Sequence, residues 1–183
     1  NITWVRDELS GLDLNDKRLN TRLITLVSLL SAHPTESIPS NCNSWSETKA
    51  AYRFFDNEKA SSDKILAPHR KATLSRIKAE KTVLLLQDTT DIDFTGRANL
   101  CGMGYTGSTQ PAQKNMKGFF LHPTIAVTPE GFCLGAIDSQ IWVRENAPEV
   151  KKSRGITSYD KPIQEKESKK WLNSYKKTKA LAM

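Results

Sequence analysis

A single carboxylate stands at the end of an apolar run in the middle of the chain. Residues 83–86 are all Val or Leu, and Asp88 follows after Gln87. Such a run is typical of a strand buried on both faces, which predicts Asp88 at the C-terminal end of a central strand. Carboxylate oxygens suit Mg²⁺ and Mn²⁺, the ions that assist phosphoryl transfer. An aspartate at a strand end also caps turns, and Thr89 and Thr90 fit that interpretation, so both remain open.

Three cations lie on one predicted helix near the N-terminus. Residues 16–31 place leucines and a valine at helical spacing on one face, while Lys17, Arg18 and Arg22 occupy the other. Cations grouped in this way suit the phosphates of a nucleic acid, although an ordinary solvated helix face has the same composition. Arg53, which lies between two aromatic residues, is interpreted either as a DNA contact or as an ion pair at the edge of the core.

The elements that carry these cations are predicted to form a small helical unit within the first 80 residues. Ser44 and Glu47 form a capping box, which predicts a helix through about residue 55. Four residues of that helix are expected to supply core contacts: Ala51, Tyr52, Phe54 and Phe55. Ser61 or Ser62 is predicted to cap a third short helix, and Pro68 to occupy the first turn of a fourth that runs to about residue 80.

Strands are predicted to follow residue 82. Residues 119–127 and 132–143 form two further strands, joined by a Thr-Pro-Glu-Gly hairpin turn. Two loops are expected, a glycine-rich one at 95–118 and an exposed one at 146–162. Residues 163–181 are predicted to form a lysine-rich helix. Trp45 and Trp171 are interpreted as packing residues rather than as platforms on which bases stack.

Composition and charge narrow the class of protein. The net charge is +7, and residues 151–183 account for all of it, with ten Lys or Arg against three Asp or Glu. A basic stretch attracts phosphate backbones, and a solvated helix face is the alternative. No apolar run approaches the roughly 18 residues that a membrane span needs, and no signal peptide is apparent. Three widely spaced cysteines are typical of reduced thiols, so we expect a cytoplasmic protein without a zinc site.

Six segments, taken in order along the chain, resemble a known family. They read LNDKR at 14–18 with TRL at 21–23, AYRFF at 51–55, LLQDTT at 85–90, KGFFLH at 117–122, IWVR at 141–144 and EKESKKWL at 165–172. Together they resemble the insertion-sequence-four family of bacterial cut-and-paste transposases. In that family a pattern like the first segment touches transposon-end DNA, and a strand like the third carries a catalytic aspartate.

The resemblance implies a fold of class α + α/β. It implies a helical DNA-binding domain at about residues 1–75 and part of a ribonuclease-H-like domain at 80–183. It also implies a DDE site, in which two aspartates and a glutamate hold two Mg²⁺ or Mn²⁺ ions, and Asp88 matches the first aspartate. The expected partners are double-stranded DNA of transposon ends and a second copy of the chain. The expected location is the bacterial cytoplasm, associated with the nucleoid.

The chain also departs from the family pattern. The second aspartate and the glutamate of the family lie beyond the segment that matches residues 165–172, and the sequence stops at Met183. Asp91, Asp93 and Asp138 cannot be assumed to replace them. Asp91 and Asp93 fall just past the first predicted strand, and two roles stay open for them, local turn acceptor or contributor to metal binding. We therefore expect an N-terminal fragment that is inactive alone. Two alternatives stay open, a non-catalytic DNA-binding remnant or regulator of transposon ends and an unrelated globular protein.

Overall fold

Five helices run between Thr3 and Lys78. The computed structural model describes residues 2–97, 100–108, 110, 112–147 and 162–182. It divides into two compact units, Asn1–Ser75 and Arg76–Met183. The helices are α1 (Thr3–Glu8), α2 (Lys17–Ala32), α3 (Ile38–Asn41), α4 (Trp45–Phe55) and α5 (Ser62–Lys78). Most of the loop predicted at 146–162 lies outside the described residues.

Helix α2 begins at a capped end and buries one apolar face. The Asp16 carboxylate accepts a hydrogen bond from the Arg18 N–H at 2.9 Å, which satisfies an amide that the helix start leaves without a partner. Leu23 and Leu26 are buried. The predicted helix at 16–31 and its apolar stripe are therefore confirmed. The core around this stripe consists of Val5, Leu9, Leu14, Leu23, Leu26, Ala51 and Phe54.

Helix α4 begins at the predicted capping box. The Ser44 hydroxyl accepts the Glu47 N–H at 3.2 Å, and the Glu47 carboxylate accepts the Asn43 N–H at 2.7 Å. The cap is therefore confirmed, with the return bond one residue earlier than the standard pattern. Ala51 and Phe54 are buried as predicted.

The prediction that Tyr52 and Phe55 supply core contacts is wrong, because each is 51% exposed. In an α-helix, successive residues are 100° apart, so the positions next to Ala51 and Phe54 turn away from the buried face.

Two predictions in this unit are wrong, and one helix was not predicted. Residues 62–78 form one helix, α5, with Pro68 inside it rather than at the first turn of a separate helix. Proline lacks an N–H and usually interrupts a helix; here it is buried, and the helix continues on both sides of it. The polar loop predicted between Pro34 and Pro39 contains α3, which is capped by Ser37 and carries Pro39 near its start. Helix α1 has no predicted counterpart, since its six residues are too few for a periodic pattern.

The second unit contains a five-stranded antiparallel sheet built around one long strand. The strands are β1 (Leu84–Gln87), β2 (Thr90–Asp93), β3 (Gly104–Tyr105), β4 (Lys117–Val127) and β5 (Cys133–Trp142), and each of the others pairs with β4. The predicted strands at 119–127 and 132–143 are confirmed. So is the hairpin turn, which Gly131 closes with a φ of 90° that favours glycine. Strands β2 and β3 were not predicted, because both are short and lie in polar sequence.

Strand β1 is not buried on both faces. Leu84, Leu85 and Leu86 are 46%, 36% and 54% exposed, so the prediction of a central strand is wrong for the described sheet. The strand pairs with β4, and no second strand among the described residues pairs with it. The apolar run of β1 therefore gives the strand apolar side chains on both faces. The run alone does not show whether other elements pack against those side chains.

Helix α6 (Lys169–Ala182) packs against β5 through a buried polar contact. The helix predicted at 163–181 is interrupted, since a 3-10 turn at Ile163–Glu165 precedes it. Asp138 is buried, and its carboxylate accepts hydrogen bonds from the Ser174 hydroxyl at 2.9 Å and from the Lys177 ammonium at 2.5 Å. Gln140 donates to Ser174 and to the Lys170 carbonyl. A buried carboxylate needs such partners, so these bonds determine where α6 docks.

Removing the Lys177 ammonium should destabilise the second unit. A Lys177→Met variant keeps most of the aliphatic stem but leaves the buried Asp138 carboxylate with one charged donor fewer. We expect the free energy of unfolding in urea to fall by about 1–3 kcal/mol, the cost of an unsatisfied buried acceptor. The matched control is Lys176→Met, at the exposed neighbouring position on the same helix. Equal stability of the two variants would contradict the docking role of Asp138.

Asp138 should also make the stability of this unit depend on pH. Burial raises the pKa of its carboxyl, but the hydrogen bonds from Lys177 and Ser174 outweigh burial and hold the pKa below the ordinary 3.8. Its contribution is therefore complete above that value and is lost as the pH falls through the lower pKa of the folded state. Below about pH 4, urea unfolding of the wild-type chain should lose stability more steeply than that of Asp138→Asn.

Candidate nucleic-acid interface and carboxylate site

The outer side of α2 carries the three predicted cations. Lys17 and Arg18 are exposed and Arg22 is half-buried. The Arg18 side chain is 96% exposed, with its guanidinium 3.8 Å from the Asp16 carboxylate that caps the helix. An exposed pair of this kind contributes little to stability. The guanidinium of Arg18 is therefore accessible to an anion from outside.

These cations line a groove between α2 and the first turn of α4. The groove has a volume of about 580 Å³, and its walls are Lys17, Arg18, Thr21, Arg22, Thr25 and Glu47. The Glu47 carboxylate is engaged by the Asn43 N–H. The Thr21 and Thr25 hydroxyls donate to the Lys17 and Thr21 carbonyls of the same helix. The three cations are donors suited to phosphate oxygens, and one carboxylate opposes them. The surface is thus predominantly a donor surface.

The outer face of α4 combines aromatic and basic side chains. Trp45 is 68% exposed and Tyr52 51%, and Lys49 and Arg53 are exposed on the same side of the helix. The Lys49 ammonium lies 5.4 Å from the centre of the Trp45 ring. Exposed aromatic rings beside cations are a common composition for surfaces that bind nucleic acids.

The prediction that Trp45 is a packing residue is wrong, and Arg53 lies on the exposed face rather than at the edge of the core. Once the capping box places the helix start at Ser44, residues 48, 51 and 54 share the buried side and residues 45, 49 and 52 the opposite one. That spacing would have revealed this face from the sequence.

Asp88 lies in the interruption between β1 and β2. It is exposed, and its Oδ1 accepts the N–H of Thr89 at 2.8 Å. The two strands keep one register on β4, since Gln87 pairs with Thr124 and Thr90 with Leu121. Asp88 is therefore opposite Pro123, on the face of the sheet that α6 does not cover.

The other candidate carboxylates are on the opposite face from Asp88. The register places Asp91 opposite Phe120 and Asp93 opposite Gly118. Asp138 is opposite Thr124 and is engaged by α6. Asp93 accepts the Thr95 hydroxyl and N–H, and these bonds hold the pKa of its carboxyl below the ordinary value. Asp93 is thus a local turn acceptor, one of the two roles open from the sequence.

His122 is a residue for which no sequence pattern predicted a role. It is fully buried on the face of β4 under α6. Burial lowers the pKa of its imidazole, although the carboxylates of Asp138 and Asp88 act in the opposite direction. Its Nδ1 lies 2.7 Å from the Thr89 hydroxyl and its Nε2 lies 3.1 Å from Gln87 Oε1. Only the strand register brings these residues together, so spacing in the sequence gives no signal for them.

An ion pair joins two of the segments that carried the family resemblance. The Arg144 guanidinium, just after β5, donates to both carboxylate oxygens of Glu167 at 2.5 Å and also to the Gly107 carbonyl. The hydrogen bonds from Arg144 hold the pKa of the Glu167 carboxyl below its ordinary value. Arg144 also lies over the Phe120 ring, with 4.4 Å between the guanidinium carbon and the ring centre. This contact fixes the chain that leads into α6.

The strand register keeps Asp91, Asp93 and Asp138 away from the Asp88 carboxylate, on the other face of the sheet. No group of three or more His, Cys, Asp or Glu side chains in the described ranges is arranged to hold a metal ion. Asp88 alone therefore does not form a metal centre, since Mg²⁺ retains most of its waters at a single carboxylate. No described helix combines the length and the apolar character that spanning a bilayer requires.

The N-terminal part of the chain is similar to a known domain class. Residues 2–60 match the family described as transposase DNA-binding. This stretch contains α1 to α4, and with them every residue of the basic groove and of the outer face of α4. The comparison with curated proteins found no match. The match shows that this segment resembles the DNA-binding part of transposases, and it supports DNA binding as the role of residues 2–60.

Proposed function

We propose that this chain is part of a DDE transposase of the insertion-sequence-four family and that residues 2–60 bind the ends of the transposon as duplex DNA. The observation that carries the proposal is the coincidence of the family match with the basic groove of α2. The six segments of the sequence resemblance support the finer family. The protein would act in the bacterial cytoplasm at the nucleoid.

Phosphate contacts would supply most of the binding energy. Lys17, Arg18 and Arg22 would neutralise phosphates along one strand and release the counterions condensed there. Arg53 and the exposed Trp45 would extend the contact along α4, with the ring packing on sugar or base. Such contacts position the protein on DNA, whereas sequence recognition requires contacts with base edges.

The second unit would be the first part of a ribonuclease-H-like catalytic domain. Its antiparallel sheet, with a carboxylate at the break in its first strand, supports this proposal. Asp88 would contribute one oxygen ligand to a site for Mg²⁺ or Mn²⁺, whose chemistry is to activate a nucleophile and to stabilise the leaving oxygen. Its exposure on the face of the sheet opposite α6 leaves room for further ligands. A homodimer would hold the two ends together.

A second candidate is a non-catalytic protein that binds transposon ends and regulates transposition. The observation that favours it is the separation of the carboxylates, since Asp91, Asp93 and Asp138 lie on the other face of the sheet from Asp88. Both candidates require DNA binding by the N-terminal unit. They differ in whether any DNA strand is cut.

Removing two cations from α2 should weaken DNA binding and reduce its dependence on salt. We expect Arg18→Ala with Arg22→Ala to lower the affinity for a duplex in a mobility-shift titration. The slope of log affinity against log salt should flatten by about 0.9 for each phosphate that the variant no longer neutralises. A matched control is Lys64→Ala with Lys71→Ala, which removes the same charge from exposed positions of α5.

The control separates a local contact from a general effect of net charge. If both double variants reduce the slope equally, the basic groove is not the binding surface. An unchanged slope in the α2 variant would contradict a phosphate-contacting role for Arg18 and Arg22 altogether.

The chain of 183 residues should neither cleave nor join DNA. Two-metal phosphoryl transfer needs several carboxylates around ions about 3.5–4 Å apart, and Asp88 supplies one. The measurement is incubation of the chain with DNA that carries the inverted repeats flanking its gene, in Mg²⁺ and separately in Mn²⁺. Nicks at the repeat boundary that disappear in Asp88→Ala would show that the chain is catalytic, contrary to this expectation.

A further inference from the structure

One side chain of β4, His122, contacts residues on both sides of the break between β1 and β2. Gln87 and Thr89 immediately flank Asp88, and both contact the imidazole of His122 on β4. The register explains this geometry, because it places Thr89 directly opposite His122 and brings Gln87 to the same face two residues away. The two contacts of His122 therefore lie on either side of Asp88 in the chain, and the Asp88 carboxylate lies on the other face of the sheet.

One protonation state of the imidazole satisfies both contacts. With the Gln87 amide oriented so that Oε1 faces the ring, the tautomer that carries its proton on Nε2 donates to Oε1 at 3.1 Å. Nδ1 then presents a lone pair and accepts the Thr89 hydroxyl proton at 2.7 Å. A neutral ring thus completes both hydrogen bonds.

The imidazole is held in place by aromatic packing. Its centre lies 5.0 Å from the Trp171 ring of α6 in an edge contact and 6.4 Å from the Trp142 ring of β5. The residue is fully buried. Rings packed at such distances have little freedom to turn. The docking of α6 therefore determines the orientation of the imidazole.

Thr89 connects this ring to the carboxylate. Its hydroxyl contacts His122, and its N–H donates to Asp88 Oδ1 at 2.8 Å. We propose that His122 is a positioning residue, which acts through Thr89 to hold the Asp88 carboxylate in one direction on the face of the sheet opposite α6. The functional importance of this contact rests on the proposed role of Asp88, because a ligand must be aligned before the ion arrives.

Two substitutions at Thr89 separate the hydroxyl from the shape of the side chain. Thr89→Val keeps the N–H and the branched shape but removes the contact with His122, whereas Thr89→Ser keeps the hydroxyl. Amide hydrogen exchange of residue 89 in the labelled full chain measures how firmly the N–H is held. We expect exchange about tenfold faster in Thr89→Val, the factor that one hydrogen bond of ordinary strength accounts for, and a wild-type rate in Thr89→Ser.

A variant at the other end of the contact completes this test. His122→Phe keeps an aromatic ring against Trp171 and removes both nitrogens, so it should accelerate the same amide. Unchanged exchange of the β4–β5 amides shows that the sheet remains folded; if His122→Phe unfolds, Thr89→Val alone decides. A wild-type rate at residue 89 in Thr89→Val would overturn the proposal.

A metal probe distinguishes this inference from the proposed role of Asp88. Mn²⁺ added to the labelled chain should broaden the amide signals of residues 87–89, and Asp88→Asn should remove the broadening. Thr89→Val should reduce it and Thr89→Ser should not. A lone carboxylate holds the ion weakly, so Mn²⁺ is added in large excess. Broadening that persists in Asp88→Asn would contradict the metal role of Asp88, while the exchange rates would still decide whether His122 positions the carboxylate.

Discussion

Side chains along β4 alternate between the two faces of the sheet. The positions of Asp88, Asp138 and His122 in the second unit depend on this alternation. Phe120, His122 and Thr124 are buried on one face, and the intervening residues are directed to the other. Because β1 and β2 share one register on β4, the alternation extends across the strand break and separates Asp88 from Thr89. A slip of one residue would exchange the faces and move Asp88 under α6. The buried contacts of Asp138 and His122 oppose such a slip, since each would be separated from its partners.

In the first unit, the helix caps decide which side chains are exposed, as the strand register does in the second unit. Asp16 and Ser44 determine where α2 and α4 begin, and the beginning of a helix decides which side chains turn outward. Lys17 and Arg18 of α2 and the aromatic and basic residues of α4 are exposed because Leu23, Leu26 and Phe54 of the same helices are buried. The surface proposed to meet DNA is therefore a consequence of how the core is packed.

The sequence predicted those features that local patterns determine. The capped helices α2 and α4, the long strands β4 and β5 and the turn between them follow from periodicity and turn residues. Burial of β1 was predicted wrongly, because an apolar run does not reveal whether its neighbours cover it. The continuity of α5 through Pro68 and the position of His122 beside Thr89 depend on tertiary contacts. For the candidate site, Lys17 and Arg18 were correctly expected on an outward face, whereas the separation of Asp88 from Asp138 required the strand register.

The proposed DNA binding and the proposed catalysis would involve different parts of this chain. The family match covers residues 2–60 and concerns DNA binding alone. The proposed phosphate contacts of α2 would need cations on a folded helix and no carboxylate, so this proposed role would involve the first unit alone. The role of Asp88 is cooperative, since a lone carboxylate has little affinity for Mg²⁺ until other ligands share the ion. A chain with both features can therefore retain DNA binding whether or not its catalytic site is complete, and this is the physical reason why a transposase and a regulator of transposition can share the same N-terminal unit.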